Sequence, residues 1–203
     1  MQAIYLDRFD PITHMATGVL SDICKFSKDK IEVAELSAHS YFSTENMQSN
    51  KAGALPASSL PSIRQTTHCH KGDVLISNIR PYFKKILLAA SDGGCSTDVL
   101  CFVPNDQSLS PFLFETLYAD RFFEYMVAGS KGTKMPRGDK QQIMNYPIVV
   151  PSKEALREYY TIAEPMLNQI QSRRNENTCL SALRDALLPR LMSGEIDVTS
   201  LDI

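Results

Sequence analysis

Residues 71–90 read KGDVLISNIRPYFKKILLAA, and this stretch decides the fold class. Residues 71–73 are typical of a turn, and the β-branched run at 74–79 predicts a strand. Proline at position 81 ends that strand or places it at an edge, because proline cannot donate to a ladder. Residues 83–90 predict a second strand, so the stretch indicates β-structure.

The β-rich pattern continues on both sides of this stretch. Residues 91–94, SDGG, predict a turn, and 98–103 predict a third strand. Residues 36–67 predict loops and short strands, and 146–151 predict a short strand bracketed by prolines. Successive short strands separated by turns favour a β-rich sheet over a doubly wound parallel one.

One helix is predicted between the third strand and a polar loop. Ser110 is expected to cap it, with Pro111 at the first helical position and the end near Gly129. The loop at 130–138, SKGTKMPRG, carries two glycines and three basic residues. Glycine lets a backbone approach a phosphate closely, so this loop is either a phosphate-binding surface or a mobile surface loop.

Everything after position 151 predicts one long helix. Ser152 has N-cap chemistry, and apolar side chains follow in steps of three and four. About 39 helical residues would span roughly 58 Å. Pro165 removes one internal hydrogen bond and is expected to kink or split the helix. The apolar edge predicts a seam with another helix, formed by Tyr160, Leu167, Ile170, Leu180, Leu183 and Leu187.

Composition places the chain among ordinary globular proteins. It has 203 residues, 43% hydrophobic and 22% charged, with a net charge of −2. No apolar run approaches the roughly 20 residues of a membrane span, and the start resembles no secretion signal, so we expect a cytoplasmic protein without membrane contact. Five scattered cysteines indicate reduced thiols, and without a C-x-x-C pair they indicate no zinc knuckle.

Two windows are basic although the whole chain is slightly acidic. Residues 71–90 hold four Lys or Arg against one Asp, and residues 130–141 hold the same numbers, which gives each window +3. The first window also offers amide, guanidinium and aromatic side chains of the kind that contact base edges. From the residues alone, a nucleic-acid surface and a solvated polar sheet edge are both open interpretations.

Catalytic motifs are missing from the sequence. It holds no G-x-G-x-x-G, P-loop, H-E-x-x-H or G-x-S-x-G, so neither a catalytic residue nor a cofactor is predicted. The tightest group of possible ligands is His68, Cys69 and His70. In a strand the two histidines share a face and Cys69 points away, which disfavours a metal site made by all three. A structural or surface role is therefore predicted, with no metal; a Cys–His nucleophilic pair is the alternative.

Five segments together resemble the specificity subunit of type I restriction–modification enzymes, and they cover nearly the whole chain. They are GVLSDICKFS at 18–27, KGDVLISNIRPY at 71–82, GCSTDVL at 94–100, GTKMPRG at 132–138 leading to YPIVVP at 146–151, and LLPRLMSGEI at 187–196. Members of that family typically carry two target-recognition domains and two long helices that pair antiparallel. The resemblance therefore implies an α+β fold with a β-rich target-recognition domain at 1–151 and a spacer helix with its tail at 152–203.

The resemblance also implies partners. These are double-stranded DNA, a modification methyltransferase subunit and a restriction subunit, with no catalysis by this chain. With one domain and one helix, it resembles a half-size subunit, so either two copies pair through their helices or the chain is a fragment that needs another half. Pairing would bury the apolar seam, where Arg174 and Asn177 could set an antiparallel register.

DNA contacts are expected from the two basic windows. Phosphate contacts are assigned to Lys84, Lys85, Lys131, Lys134 and Arg137. Base contacts are assigned to Asn78, Arg80, Tyr82 and Thr133. The rival functions are a helix-mediated partner protein that binds no DNA and a free-standing enzyme using Cys69.

Overall fold

A computed structural model of the chain describes residues 1–9 and 14–196. The helices are α1 (Gln2–Phe9), α2 (Ser110–Tyr118), α3 (Asp120–Ala128), α4 (Lys140–Met144) and α5 (Lys153–Met192). The strands are β1 (Gly18–Val19), β2 (Cys24–Phe26), β3 (Lys30–Glu32), β4 (Tyr41–Phe42), β5 (Gln65–Cys69), β6 (Val74–Ser77), β7 (Ile86–Leu88), β8 (Gly93–Cys95), β9 (Val99–Pro104) and β10 (Pro147–Ile148). The tail at 197–203, predicted as part of the second domain, lies outside the described residues.

The strands form two four-stranded sheets and one short pair. The first sheet has the order β2-β9-β6-β7 with every neighbour antiparallel. The second has the order β3-β5-β8-β4, in which only β4 and β8 run parallel. Strands β1 and β10 pair antiparallel and join the beginning of the chain to residue 148. The predicted β-rich domain with a few helices and a long C-terminal helix is confirmed.

Strand β6 is buried along both faces, which makes the first sheet a middle layer. Alternate residues of a strand point to opposite faces. One face of the first sheet packs on the second sheet, in a cluster of Met47, Cys69, Leu75, Leu87, Cys95, Val99 and Cys101. On the other face Phe102, which is fully buried, meets Phe122 of α3 with ring centroids 6.5 Å apart. Burial on both faces of the sheet explains why the sequence at 74–76 is apolar at every position and does not alternate.

The predicted turn at 91–94 is wrong in its second half, because Gly93 and Gly94 begin strand β8. A Cβ on Gly93 would lie 2.3 Å from the backbone oxygen of Ser40. A Cβ on Gly94 would lie 2.6 Å from Leu36 Cδ1. These glycines therefore allow the close approach of neighbouring chain segments rather than forming a turn.

The predicted helix at 110–129 is two helices. Ala119 has extended backbone angles, φ −62° and ψ 138°, and separates α2 from α3. The predicted cap at Ser110 is also wrong, because its hydroxyl donates to the carbonyl oxygen of Gly72 at 2.5 Å. Ser110 thus joins α2 to the turn before β6 instead of capping the helix.

Helix α5 begins as predicted and continues through Pro165 without a break. The hydroxyl of Ser152 accepts a hydrogen bond from the backbone N–H of Ala155 at 3.2 Å, which confirms it as the cap. Tyr159 is 1% exposed, and its ring meets Phe9 of α1 edge-on at 5.6 Å. Helix α1 itself was not predicted.

Contacts divide the chain into two compact units, Met1–Ala163 and Glu164–Ile203. The first turns of α5 belong to the first unit, and the rest of α5 makes up the described part of the second. The boundary predicted between a target-recognition domain at 1–151 and a spacer helix at 152–203 is a functional one, and it stays a prediction. Within residues 1–9 and 14–196, every helix is too short or too polar to cross a bilayer.

Helix α2 buries a carboxyl group. Glu115 is 3% exposed, and its Oε2 has no hydrogen-bond partner among the described residues. Burial raises the pKa of Glu115 from 4.5 to about 7, against the weaker opposing effects of the N-terminal amine and Lys51. The folded protein therefore binds the Glu115 proton more tightly than the unfolded chain does.

Replacing Glu115 with Gln should remove a pH-dependent loss of stability. In the wild type, ionisation of Glu115 in the unfolded chain lowers the free energy of unfolding as pH rises from 4.5 to 7, by about 3 kcal/mol. We expect Glu115→Gln to show a smaller fall between pH 4 and pH 8, measured by urea unfolding. Glu124→Gln, an exposed carboxyl change on α3, is the control. Identical pH profiles for Glu115→Gln and the wild type would contradict the assignment.

Candidate nucleic-acid interface

The two predicted basic windows lie side by side in the structure. The backbone N–H of Arg80 donates to the oxygen of Pro136 at 2.8 Å, and the N–H of Gly138 donates to the oxygen of Asn78 at 3.2 Å. Lys131 and Arg137 exchange two backbone hydrogen bonds that close the loop between them. We call residues 80–85 and 131–137 together the two-loop surface.

The first loop has an unusual backbone. Arg80 and Lys84 both have φ of 50°, in the left-handed region that non-glycine residues seldom adopt. Between them Pro81–Phe83 forms a 3₁₀ turn. Backbone N–H groups of Asn50 and Lys51 hold the loop through the oxygens of Phe83 and Lys84, at 2.8 and 2.9 Å. Neighbouring backbone therefore stabilises a conformation that this sequence would not adopt alone.

This backbone turns apolar side chains towards solvent. Tyr82 is 49% exposed and Phe83 is 38% exposed, and their rings contact each other with centroids 4.8 Å apart. In the second loop Met135 is 50% exposed. Phe83 and Met135 were not predicted as site residues, because an apolar residue in a sequence gives no sign that it faces water.

Most cations of the two-loop surface are paired with other groups of the chain. Lys84 Nζ lies 2.7 Å from Asp120, and Lys85 Nζ donates to the Thr44 oxygen at 2.5 Å. In the second loop Lys131 lies 2.5 Å from Asp139, and Arg137 lies 2.9 Å from Asp98. The last two cations are largely exposed, and exposed ion pairs contribute only about 0–1 kcal/mol. A phosphate could therefore replace the carboxylates at small cost.

Lys134 differs from these four residues. It is exposed, and it forms no ion pair with any residue of 1–9 or 14–196. Lys85 is the opposite case, because partial burial lowers the pKa of its amine. Lys134 is thus an exposed lysine of this surface that could meet a phosphate without losing a contact.

The residues predicted to contact bases differ in their solvent exposure. Tyr82 and Thr133 are exposed. Asn78 is only 8% exposed, and its Oδ1 has no hydrogen-bond partner among the residues described. The Nε of Arg80 is likewise buried without a partner in the described part of the chain. Asn78 and Arg80 support the loops in this conformation, and their contact with bases stays a prediction.

Cys69 lies away from this surface and is unsuited to nucleophilic attack. It is fully buried between the two sheets, and burial raises the pKa of its thiol. A nucleophilic cysteine needs a thiolate that a substrate can reach. His68 and His70 do share a face, as predicted, with ring centroids 4.0 Å apart.

Comparison with known proteins identifies what the chain resembles. No family model matches it. The MjaIX specificity subunit of Methanocaldococcus jannaschii is 32% identical over 76 residues, covering 37% of this chain and 18% of that protein. The EcoDI specificity subunit of Escherichia coli is 24% identical over 137 residues, covering 63% of this chain and 29% of that protein.

These relatives are type I restriction enzyme specificity subunits. The solved HsdS subunit of Thermoanaerobacter tengcongensis has the same fold, with a TM-score of 0.52 at 18% identity. That match covers 91% of this chain and 50% of the HsdS chain. The chain thus spans half of a solved specificity subunit and under a third of each curated one, consistent with a half-size subunit. The resemblance predicted from five sequence segments is confirmed.

Gly138 is the residue through which the second loop packs on the first. A Cβ there would lie 2.9 Å from Asn78 Oδ1 and 2.9 Å from Ile143 Cδ1. Gly138→Ala should therefore lower the free energy of unfolding by about 1 kcal/mol, the low end of the usual cost of overpacking, because the atoms that it meets are the ends of side chains. Urea unfolding would measure it, with the exposed Thr133→Ala as a control close to wild type. A Gly138→Ala protein as stable as the control would show that the loop junction is loosely packed.

Proposed function

We propose that this chain is the DNA sequence-recognition component of a type I restriction–modification system and has no catalytic role itself. The observation that carries the proposal is the two-loop surface, which brings the predicted contact residues together on a fold that specificity subunits share. In this proposal residues 1–151 read DNA, and the chain directs modification methyltransferase and restriction subunits to the site. The chain would act on DNA in the cytoplasm.

Binding would proceed by exchange of ion pairs. Lys134 meets a phosphate directly, whereas Lys84, Lys131 and Arg137 leave Asp120, Asp139 and Asp98 for phosphate oxygens. Two of the carboxylates left behind keep other partners, because Asp120 stays paired with Lys51 at 2.9 Å and Asp139 still accepts the N–H groups at the start of α4. This arrangement explains how a chain with a net charge of −2 could bind DNA through a local excess of cations.

Bases would be contacted by side chains that rise from the same loops. Tyr82 and Thr133 are accessible without rearrangement, and they offer a hydroxyl group each. Asn78 and Arg80 carry the amide and guanidinium groups suited to adenine and guanine, and each has a buried polar atom without a partner in the described residues. Such atoms gain a hydrogen bond if the loops open onto a base edge.

Lys134→Ala should weaken DNA binding for every sequence and lower its salt dependence. Removing one phosphate contact reduces the slope of log affinity against log salt by about 1. The slope can be measured by fluorescence anisotropy with a random-sequence duplex, so the recognised sequence need not be known. Lys71→Ala is the matched control. Lys71 is also an exposed lysine, but it lies before β6, whereas the two-loop surface begins after β6.

Two results would contradict the proposal. An unchanged slope for Lys134→Ala removes that residue from the contact set. Failure of the wild type to retain any duplex at low salt favours the rival function, a helix-mediated partner protein that binds no DNA.

We further propose that two copies pair through α5 as an antiparallel coiled coil. In the second unit Ile170 is 43% exposed, and Leu180 and Leu183 are each 54% exposed. Leu167 and Leu187 are half-buried, and Tyr160 completes the predicted seam within the first unit. An apolar strip of this kind in contact with water is unfavourable, and a two-fold dimer would bury it. Two identical DNA-reading surfaces then predict an inverted-repeat site with a central gap.

Leu183→Asp should convert the dimer to a monomer at micromolar concentration, because it places a charge in the buried seam. Sedimentation velocity would measure the change. Ala182→Asp adds the same charge at an exposed position about 100° around the helix from Leu183 and outside the seam, so it should leave the dimer intact. A wild-type chain that sediments as a monomer, or two variants that behave alike, would contradict the pairing.

A further inference from the structure

A second cluster of polar side chains lies at the other end of β6 from the two-loop surface. His68 is the penultimate residue of β5, His70 follows that strand, and Asp92 lies in the turn between β7 and β8. One ligand atom from each of the three residues lies within 4.8 Å of the others. We call these residues the His–His–Asp cluster. The sequence does not indicate this cluster, because Asp92 is distant from the two histidines in the chain and Cys69 is the possible ligand that lies between them.

The backbone holds the three side chains together. Strand β5 pairs with β8, which places His68 opposite Gly94 and next to the turn that carries Asp92. Asp92 Oδ1 accepts a hydrogen bond from the backbone N–H of Lys71 at 2.9 Å. The cluster is thus fixed by a strand pair and by a hydrogen bond between two turns, and neither histidine lies in a mobile tail.

The hydrogen bonding of the cluster is incomplete. His68 Nε2 is buried and has no hydrogen-bond partner among the described residues. A buried imidazole nitrogen without a partner is unfavourable, and a metal ion would supply one. This orphan nitrogen is the observation that separates the cluster from an ordinary group of surface side chains.

A buried carboxylate supports the second histidine. His70 Nδ1 lies 3.8 Å from Oδ2 of Asp73, which is fully buried. The same oxygen already accepts the backbone N–H of His70 at 2.7 Å, while Asp73 Oδ1 has no partner in the described residues. A separation of 3.8 Å is too long for a hydrogen bond, so Asp73 acts on the His70 ring through its charge, and the other ring nitrogen is left for a metal.

We propose that His68, His70 and Asp92 bind one divalent transition-metal ion, with zinc as the preferred ion. Two imidazole nitrogens and one carboxylate oxygen are ligands that zinc accepts in a tetrahedral site. In a tetrahedral site with zinc–ligand bonds of about 2.0–2.2 Å, the ligand atoms lie roughly 3.4 Å from one another. The ligand atoms of this cluster would therefore each move by about 1 Å when zinc binds. Asp92 is exposed, so water occupies the fourth position.

The ion would hold the turn before β6 against the second sheet. His68 lies in β5 and Asp92 comes directly before β8, and these two strands pair in the second sheet, whereas His70 lies in the turn that leads into β6 of the first sheet. A metal bridge at this place fixes the start of β6, whose other end carries the two-loop surface. The proposed role is therefore structural, and it does not depend on the DNA-binding proposal.

Zinc titration of the purified full-length chain tests this site. Every protein carries Cys179→Ser, because the exposed thiol of Cys179 would bind zinc by itself. After chelator treatment, calorimetry should show one zinc per chain, no response to magnesium, and a higher melting temperature with zinc. Cobalt should bind in place of zinc and give the visible absorption of a tetrahedral nitrogen and oxygen site.

The variants decide which residues bind the ion. His70→Ala and Asp92→Asn should each weaken zinc binding about tenfold or more and reduce the cobalt absorption. Asp92→Asn keeps an oxygen that can accept the Lys71 N–H, so it tests the ligand without disturbing the turn. His39→Ala, an exposed histidine elsewhere, should bind as the parent protein does. Binding that is absent in the parent, or equal in Asp92→Asn and His39→Ala, would overturn the proposal.

Discussion

Strand β6 lies between a sheet and a pair of helices, and its pairing with β9 is the constraint on which both candidate sites depend. The register runs from Val74 opposite Phe102 to Ser77 opposite Val99, with every β6 residue buried. A shift by one residue would exchange the two faces and place Leu75 against the helices. Because that exchange is so unfavourable, the two ends of β6 are held in fixed positions. One end leads into the two-loop surface and the other carries the His–His–Asp cluster.

The two-loop surface shows how a slightly acidic protein can carry a local excess of cations. Lys84, Lys131 and Arg137 are each paired with an aspartate in the absence of a ligand, and the last two cations are largely exposed to water. Exposed pairs of this kind orient the side chains without stabilising the fold greatly. The left-handed backbone conformation of Arg80 and Lys84 is unfavourable for non-glycine residues. It persists because hydrogen bonds from the backbone at Asn50 and Lys51 support it.

Periodicity and capping residues predicted the strands and helices that depend mainly on interactions between residues close in the sequence. The strand predicted at 74–79 was found at 74–77, and the Ser152 cap and the long helix after it were found where the sequence placed them. The errors occurred where distant contacts decide the structure. Gly93 and Gly94 entered a strand because Ser40 and Leu36 approach them closely. Ser110 donates to Gly72 rather than capping α2, because the turn before β6 lies against it.

The candidate sites follow the same rule. The sequence alone determined the residue types of both basic windows, the absence of catalytic motifs and the apolar edge of α5, because composition and periodicity are properties of the chain itself. Only the tertiary structure decided that the windows meet, that Asn78 is buried while Tyr82 is exposed, and that Asp92 joins His68 and His70. Exposure and proximity depend on which segments pack together, and that information is spread over contacts between residues far apart in the chain.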